Sequence, residues 1–292
     1  MVLFGFVISC KKDDDNNVEQ LRDRNQQFIT DSIAIYDFLN SHSIAVDENF
    51  NTSFDVLTEG SNQQSIYKQK VYPLQHKKVK VDGVEYKIYY LKLREGLAKN
   101  TSAFDSILVS YKGNLLNRNT FDWKPNAFWA APGNNIASQN IFSTKGSVYI
   151  IPEFKSGSFD ENPDGTMNFY QYGAGVMFVP SGLGFFNYSQ IGVPSYSSFI
   201  VSFKLYDVKY RDHDFDGVLS MYEDLNENGD FYDDDTDGDG ISNFLDPDDD
   251  GDGIPTKYED LNKNGNYFDD DANDNGIPSF LDKEEKLSNQ SN

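Results

Sequence analysis

The 292-residue sequence predicts an α+β fold: an N-terminal helix, an antiparallel sheet wrapped on one short helix, and an irregular acidic repeat. Three observations predict it. Residues 18–42 carry apolar side chains at helical spacing. From Ser106 onward, runs of β-branched and aromatic residues alternate with Gly, Asn and Pro. Residues 212–282 repeat an Asp-rich pattern at fixed glycine intervals. The length fits two or three domains, and 38% hydrophobic with 15% aromatic residues is enough for a core.

Charge divides the chain. Of 47 Asp+Glu and 25 Lys+Arg, 24 and 2 respectively lie in residues 212–282, so that segment holds the whole net charge of −22 and the remainder is neutral. Nucleic acid is excluded as a partner, because phosphate binding needs a basic face. Three His and one Cys leave no material for a Cys/His zinc site or a disulfide framework.

The chain opens MVLFGFVISCKKDDDNN. A short apolar run ends in Val7-Ile8-Ser9-Cys10 and gives way to a charged tether. The run is too short to span a membrane, and no other segment is suited to it. A small residue followed by cysteine resembles a bacterial lipoprotein signal, which makes Cys10 the lipidated first residue of the mature chain. The missing basic n-region points to a start further upstream. Lys-Lys-Asp-Asp-Asp resembles the surface-export tether of Bacteroidetes lipoproteins. The resemblance implies a cell-envelope protein, anchored by lipid in the outer membrane and facing the periplasm or the cell surface. Residues 1–10 are then the signal segment, and residues 11–95 a tether, helix and N-terminal extension.

Val18, Leu21, Phe28, Ile33, Ile35 and Leu39 define an amphipathic helix over 18–42, continuous or broken near Thr30-Asp31, that packs on the following domain. YKIYYLKL (86–93) alternates like a strand. ILVSYKGNLL, GSVYIIPEF, GVMFVPSGLGFF and SSFIVSFKLYDV carry strong strand signals. One short helix is expected between them, around 150–157.

The same residues resemble the FK506-binding-protein (FKBP-type) peptidyl-prolyl isomerase family over residues 96–210. Val109-Ser110-Tyr111-Lys112-Gly113-Asn114-Leu115 and Phe121-Asp122 match its opening strand and turn. Pro180-Ser181-Gly182-Leu183-Gly184-Phe185-Phe186 matches its P-S-x-L-x-Y-G segment. Val193-Pro194 through Phe199, Val201, Phe203 and Leu205 match its closing strand. The resemblance implies an FKBP-like sheet and prolyl isomerisation of proline-containing peptides or unfolded client proteins. It implies a pocket of Tyr111, Phe121, Asp122, Ile150, Ile151, Phe154, Phe185 and Val193 and no catalytic cofactor. Phe154 takes the place of a Trp floor, Phe185 that of a substrate-binding tyrosine, and Val201 that of a common aromatic. An insertion around 156–172 lengthens the helix-to-strand connection. The alternative is a catalytically weak FKBP-like peptide-binding or adhesion module on a calcium-stiffened stalk.

Residues 211–283 read as six loops of the D-x-D-x-D-G-x5-E type, in which oxygens at positions 1, 3, 5 and 12 converge on Ca²⁺ while Gly at 6 allows a sharp turn. The candidate ligands of the first loop are Asp212, Asp214, Asp216 and Glu223, and of the second Asp224, Asn226, Asn228 and Asp235. The third uses Asp235, Asp237, Asp239 and Asp246, and the fourth Asp248, Asp250, Asp252 and Glu259. The fifth uses Asp260, Asn262, Asn264 and Asp271, and the sixth Asp271, Asn273, Asn275 and Asp282. Loop starts at 212, 224 and 235 recur 36 residues on, so the unit is duplicated. The pattern resembles cysteine-free thrombospondin type 3 repeats, which implies a calcium-bound domain with little core. Leu225, Phe231, Phe244, Leu245, Tyr258, Leu261, Phe268 and Phe280 are expected to make small contacts between loops. A disordered acidic tail explains the charge but not the register. Folding is expected to depend on metal, with affinity of ~0.1–1 mM as in extracellular modules. Residues 284–292 form a tail.

Overall fold

The computed structural model describes residues 21–132 and 141–290. Cys10 and Val18 lie outside the described residues. Helix α1 (Arg24–Ser41) is capped by Asp23, whose side chain accepts from the Gln26 N–H at 2.9 Å. It runs unbroken through Thr30-Asp31. Ile35, Phe38 and Leu39 are buried, whereas Leu21 and Ile33 of the expected apolar stripe are exposed. A small hairpin of β1 (His42–Val46) and β2 (Thr52–Val56) follows.

Six strands form one antiparallel sheet: β3 (Leu74–Val81), β4 (Val84–Arg94), β5 (Ser106–Leu115), β6 (Thr120–Ala130), β9 (Gly173–Val179) and β10 (Phe199–Lys209). Their spatial order is β3-β4-β9-β10-β5-β6. Strands β3 and β4 therefore belong to the sheet although they precede the boundary expected at residue 96. Central β9 is buried along its whole length, and its alternation sorts two cores. Ala174, Val176 and Phe178 join Ile35, Phe38, Leu39 and Phe54 of α1 and β2. Met177 and Val179 face the other way, joining Ile150, Ile151, Phe154, Val201 and Phe203.

GSVYIIPEF is not a strand. It forms α2 (Lys145–Ile150) followed by a 3-10 turn over Ile151–Glu153, earlier than the helix expected near 150–157. Its aliphatic residues are those of a strand, but what decides is burial on one sheet face, not β propensity. Gly146 lies so close to β9 that an added Cβ would stand 2.8 Å from a methyl of Val179. The 156–172 insertion is a hairpin of β7 (Ser158–Glu161) and β8 (Met167–Tyr170). Among the described residues no helix is long and apolar enough to cross a membrane.

Beyond β10 the acidic segment has only single 3-10 turns. It docks on the sheet domain through Phe231 and Phe244, which pack on Phe104 with ring centroids 4.4 and 4.8 Å away. Of the apolar residues expected to join the loops, Phe231, Phe244 and Phe280 are buried, whereas Leu225, Leu245 and Phe268 are exposed.

Candidate functional site

Strands β5 and β6 bring the first group together. Gly113 pairs with Asp122 across the ladder, and its missing Cβ leaves room for the Phe121 ring. Phe121 meets Phe199 edge-on at 5.8 Å, and Phe185 lies 5.6 Å from the same ring. Phe121, Asp122, Ile141, Phe185, Gln190, Ile191 and Val193 line a cleft of about 250 Å³. The buried Tyr111 hydroxyl donates to Asp122 Oδ2, and Asp122 Oδ1 accepts from the Trp123 N–H at 2.8 Å. Burial, then the Asp122 carboxylate, pushes the Tyr111 hydroxyl well above its ordinary pKa. It is therefore a fixed donor that holds Asp122 at the rim.

Of the eight expected pocket residues, Phe121, Asp122, Phe185 and Val193 line this cleft, and Tyr111 reaches it through Asp122. Ile150, Ile151 and Phe154 do not. They are fully buried, and Phe154 stacks edge-on against Phe203 at 4.9 Å and faces Tyr90. Phe154 is shorter than a Trp and is drawn into the core, where Gly175 leaves space for its ring. Ile141, Gln190 and Ile191 went unread in the sequence. Ile141 stands outside the family motif, and Gln190 comes into place through its bridge to Val193.

The acidic segment holds the second group. In all six loops the sixth-position glycine, Gly217, Gly229, Gly240, Gly253, Gly265 or Gly276, has positive φ. Each donates its N–H to the first Asp of its loop at 2.7–3.1 Å. Glycine permits that geometry without strain. The register is therefore the one read from spacing. Carboxylate oxygens converge within 4.8 Å in four groups: Asp212/Asp214/Asp216, Asp235/Asp237/Asp239, Asp248/Asp250/Asp252, and Asp216/Glu223/Asp249.

The closing positions differ in two loops. Asn226 and Asn228 donate to Asp233 and Asp234, not to Asp235. Likewise Asn262 and Asn264 reach Asp269 and Asp270, not Asp271. These turns close early because Phe231 and Tyr267 turn inward just before the closing Asp residues, toward Phe104 and Phe280 respectively. In the sixth loop Asn273 and Asn275 meet Asp282 as expected. Asp249, fully buried, was not read as a ligand at all, because it occupies position 2 of its loop.

The electrostatics of the group are severe. Buried oxygens of Asp214, Asp216, Glu223, Asp234, Asp248, Asp249, Asp250, Asp252, Glu259 and Asp270 have no hydrogen-bond partner. Desolvation, then neighbouring carboxylates, pushes Glu223 up to about 10 and Asp249 and Glu259 up to about 9. Lone buried carboxylates on this scale cost several kcal/mol each, on the order of the penalty for any unpaired ion. A hard cation with oxygen ligands fits this donor set and removes the penalty.

The family model that matches the chain is described as BamM C-terminal and covers residues 213–266; it, rather than thrombospondin type 3, is the family that matches the acidic segment. No curated protein matches by sequence. Among solved structures, FkpA from Escherichia coli is 17% identical with a TM-score of 0.34, covering 49% of this chain and 54% of that one. A peptidyl-prolyl cis-trans isomerase from Pseudomonas syringae pv. tomato is 14% identical with a TM-score of 0.33, covering 49% and 84%. The three FKBP domains of wheat FKBP73 are 14% identical with a TM-score of 0.32, covering 42% and 46%. The chain spans about half the length of the first of these.

Proposed function

We propose that the chain is an exported, lipid-anchored prolyl-peptide isomerase of the FKBP type whose acidic segment is a structural calcium module. The observation that carries the isomerase reading is the apolar cleft of Phe121, Ile141, Phe185 and Val193 with Asp122 tethered at its rim by Tyr111. A proline ring is small enough to bury there. Rotation about an X-Pro bond is opposed by ~18–20 kcal/mol of lost amide resonance. The twisted amide has a less polar carbonyl, so a water-poor apolar wall favours it over the planar ground state. The residues bind the ring, exclude water and orient the peptide; no covalent bond forms.

A second reading, a peptide-binding module with weak catalysis, is favoured by two features. Phe185 offers no hydroxyl to a substrate carbonyl, and Phe154 is spent on the core. A proline-isomerisation assay of the full chain separates the readings. Catalysis that falls at least about tenfold in Phe121→Ala, as for a residue that contacts the transition state, supports the enzyme. Peptide binding without catalysis supports the module, and neither behaviour in a folded chain sinks both.

The calcium reading is supported by the unpartnered buried carboxylate oxygens. Asp212, Asp214, Asp216, Asp235, Asp237, Asp239, Asp248, Asp250 and Asp252 would hold ions, with Glu223, Asp246 and Glu259 closing the acidic loops. The ions would supply positive charge and fixed geometry, a structural role. The proposed partners are proline-containing peptides or unfolded clients, calcium, and a membrane reached through Cys10. The proposed place is the outer membrane of the cell envelope.

A further inference from the structure

Two positions by which the first half meets the sheet domain recur in the second half, where they meet the first half. Counting 36 residues on, Phe231 becomes Tyr267, Phe244 becomes Phe280, Ser220 becomes Thr256 and His213 becomes Asp249. In the first half, Phe231, Phe244 and His213 all face Phe104 of the sheet domain, His213 at 6.0 Å. In the second half, the Tyr267 hydroxyl donates to the backbone carbonyl of Asp216 at 3.3 Å, and Gly217 leaves the space that hydroxyl occupies. The joint between the halves differs in kind, with Phe280 packing on Tyr267 and Phe268 of its own half. Where the first half presents an imidazole to an aromatic ring, the second presents the carboxylate of Asp249 to the first loop.

We propose that Asp216, Glu223 and Asp249 hold a divalent cation in a site built across the two halves, present only when they dock. The proposal rests on the calcium reading of the segment and adds to it a ligand from outside the loop pattern. The carboxylate oxygens of the three residues lie within 4.8 Å of one another. The residues are 0%, 1% and 1% exposed. Asp216 Oδ2, Asp249 Oδ1 and both Glu223 carboxylate oxygens have no hydrogen-bond partner. Asp249 is aimed by its own half: the Thr256 hydroxyl donates to Asp249 Oδ2 and accepts from the Asp249 N–H, both at 3.2 Å. Three carboxylates and no nitrogen or sulfur donor select a hard cation of the calcium class. Asp216 is shared with the first loop, so filling that loop and joining the halves are one event. The docked pair is a cation-gated joint, whereas the joint to the sheet domain is aromatic and cation-independent.

Terbium luminescence tests this on the full chain, with Tb³⁺ alone as the calcium-like probe and excitation through tyrosine. Tyr267 touches the Asp216 backbone, so it is the antenna for this site. Tyr267→Phe is expected to remove a defined part of the emission. Asp249→Asn keeps volume and the Thr256 contact, and is expected to remove the same part, with no further loss in the double variant. It should also weaken calcium at one site at least about tenfold, as loss of a ligand charge does. Asp274→Asn, at an exposed position of the sixth loop outside the ligand set, should leave the Tyr267-dependent emission unchanged, separating a local loss from a general effect of lost charge. Full Tyr267-dependent emission in Asp249→Asn, or its equal loss in Asp274→Asn, would overturn the shared site while leaving the calcium reading intact. Absence of terbium and calcium binding in the unaltered chain would overturn both.

Discussion

Asp31 sits in the middle of α1 with its carboxylate buried, accepting from the Ser181 N–H and hydroxyl at 2.7 and 2.6 Å and from Gln27 at 2.8 Å. Burial raises its pKa against the pull of those donors. The residue ties α1 to the turn that leads into Phe185. Asp31→Ala leaves the Ser181 N–H and hydroxyl buried without an acceptor, a loss of about 1–3 kcal/mol. Urea unfolding should show it, and prolyl-peptide affinity should fall in the same variant as the turn loosens. The sequence offered Asp31 as the place where the helix breaks, since Asp is a poor helix former. Its partner lies 150 residues away, and no local pattern reveals that. Tyr111, Phe121 and Asp122 were legible because their motif is local to one strand pair. Phe154 was misplaced for the converse reason: motif position named a pocket floor, while the volume left by Gly175 decided for the core.

Each loop of the acidic segment is a turn closed by one glycine and one aspartate. Gly253 has φ +96° with open space around it, so Gly253→Ala tests backbone conformation alone and should cost about 1–2 kcal/mol. Gly217 has φ +101° and also faces the Tyr267 hydroxyl, so Gly217→Ala should cost more and separate the halves. Thermal melts in calcium rank the two; equal effects would mean that Tyr267 does not seat on the first loop. The loops themselves were readable because spacing carries their geometry. Their closing residues were less so, because Asp233, Asp234 and Asp235 are chemically alike and only the inward turn of Phe231 selects among them. Likewise the strands β4, β5, β9 and β10 were legible from alternation and branching, while α2 was not. A short helix wholly buried on one face has the same composition as a strand.

At the scale of the whole chain, two cores flank one sheet and a third, small aromatic cluster fastens the acidic segment to it. Phe104 is the fastener, and Phe104→Ala should cost about 3–5 kcal/mol, read as earlier release of residues 211–283 in limited proteolysis while the sheet domain stays resistant. That the segment docks at all was not foreseeable from charge, because Phe104 on one side and Phe231 and Phe244 on the other carry it. Acid should act in opposite senses with and without metal. Glu223, Asp249 and Glu259 have folded pKa values raised to about 10, 9 and 9 from ordinary values of 4.5, 3.8 and 4.5. The folded metal-free segment therefore binds more protons than the unfolded one, and its stability is fully present below about pH 4 and is lost as pH rises toward 9. In chelator, tyrosine circular dichroism should show more order at pH 5 than at pH 8. In millimolar calcium the order should reverse, as protons displace the ion. On the calcium reading proposed above, the ion and not a hydrophobic core orders the loops of this segment beside the sheet domain. Hydrogen exchange at the amides of Gly217, Gly229, Gly240, Gly253, Gly265 and Gly276 tests it most directly, since each donates within its own loop. Calcium-dependent ordering predicts rapid exchange in chelator and strong protection in millimolar calcium, with the sheet amides protected in both. Protection of the six amides that is the same with and without calcium would contradict it.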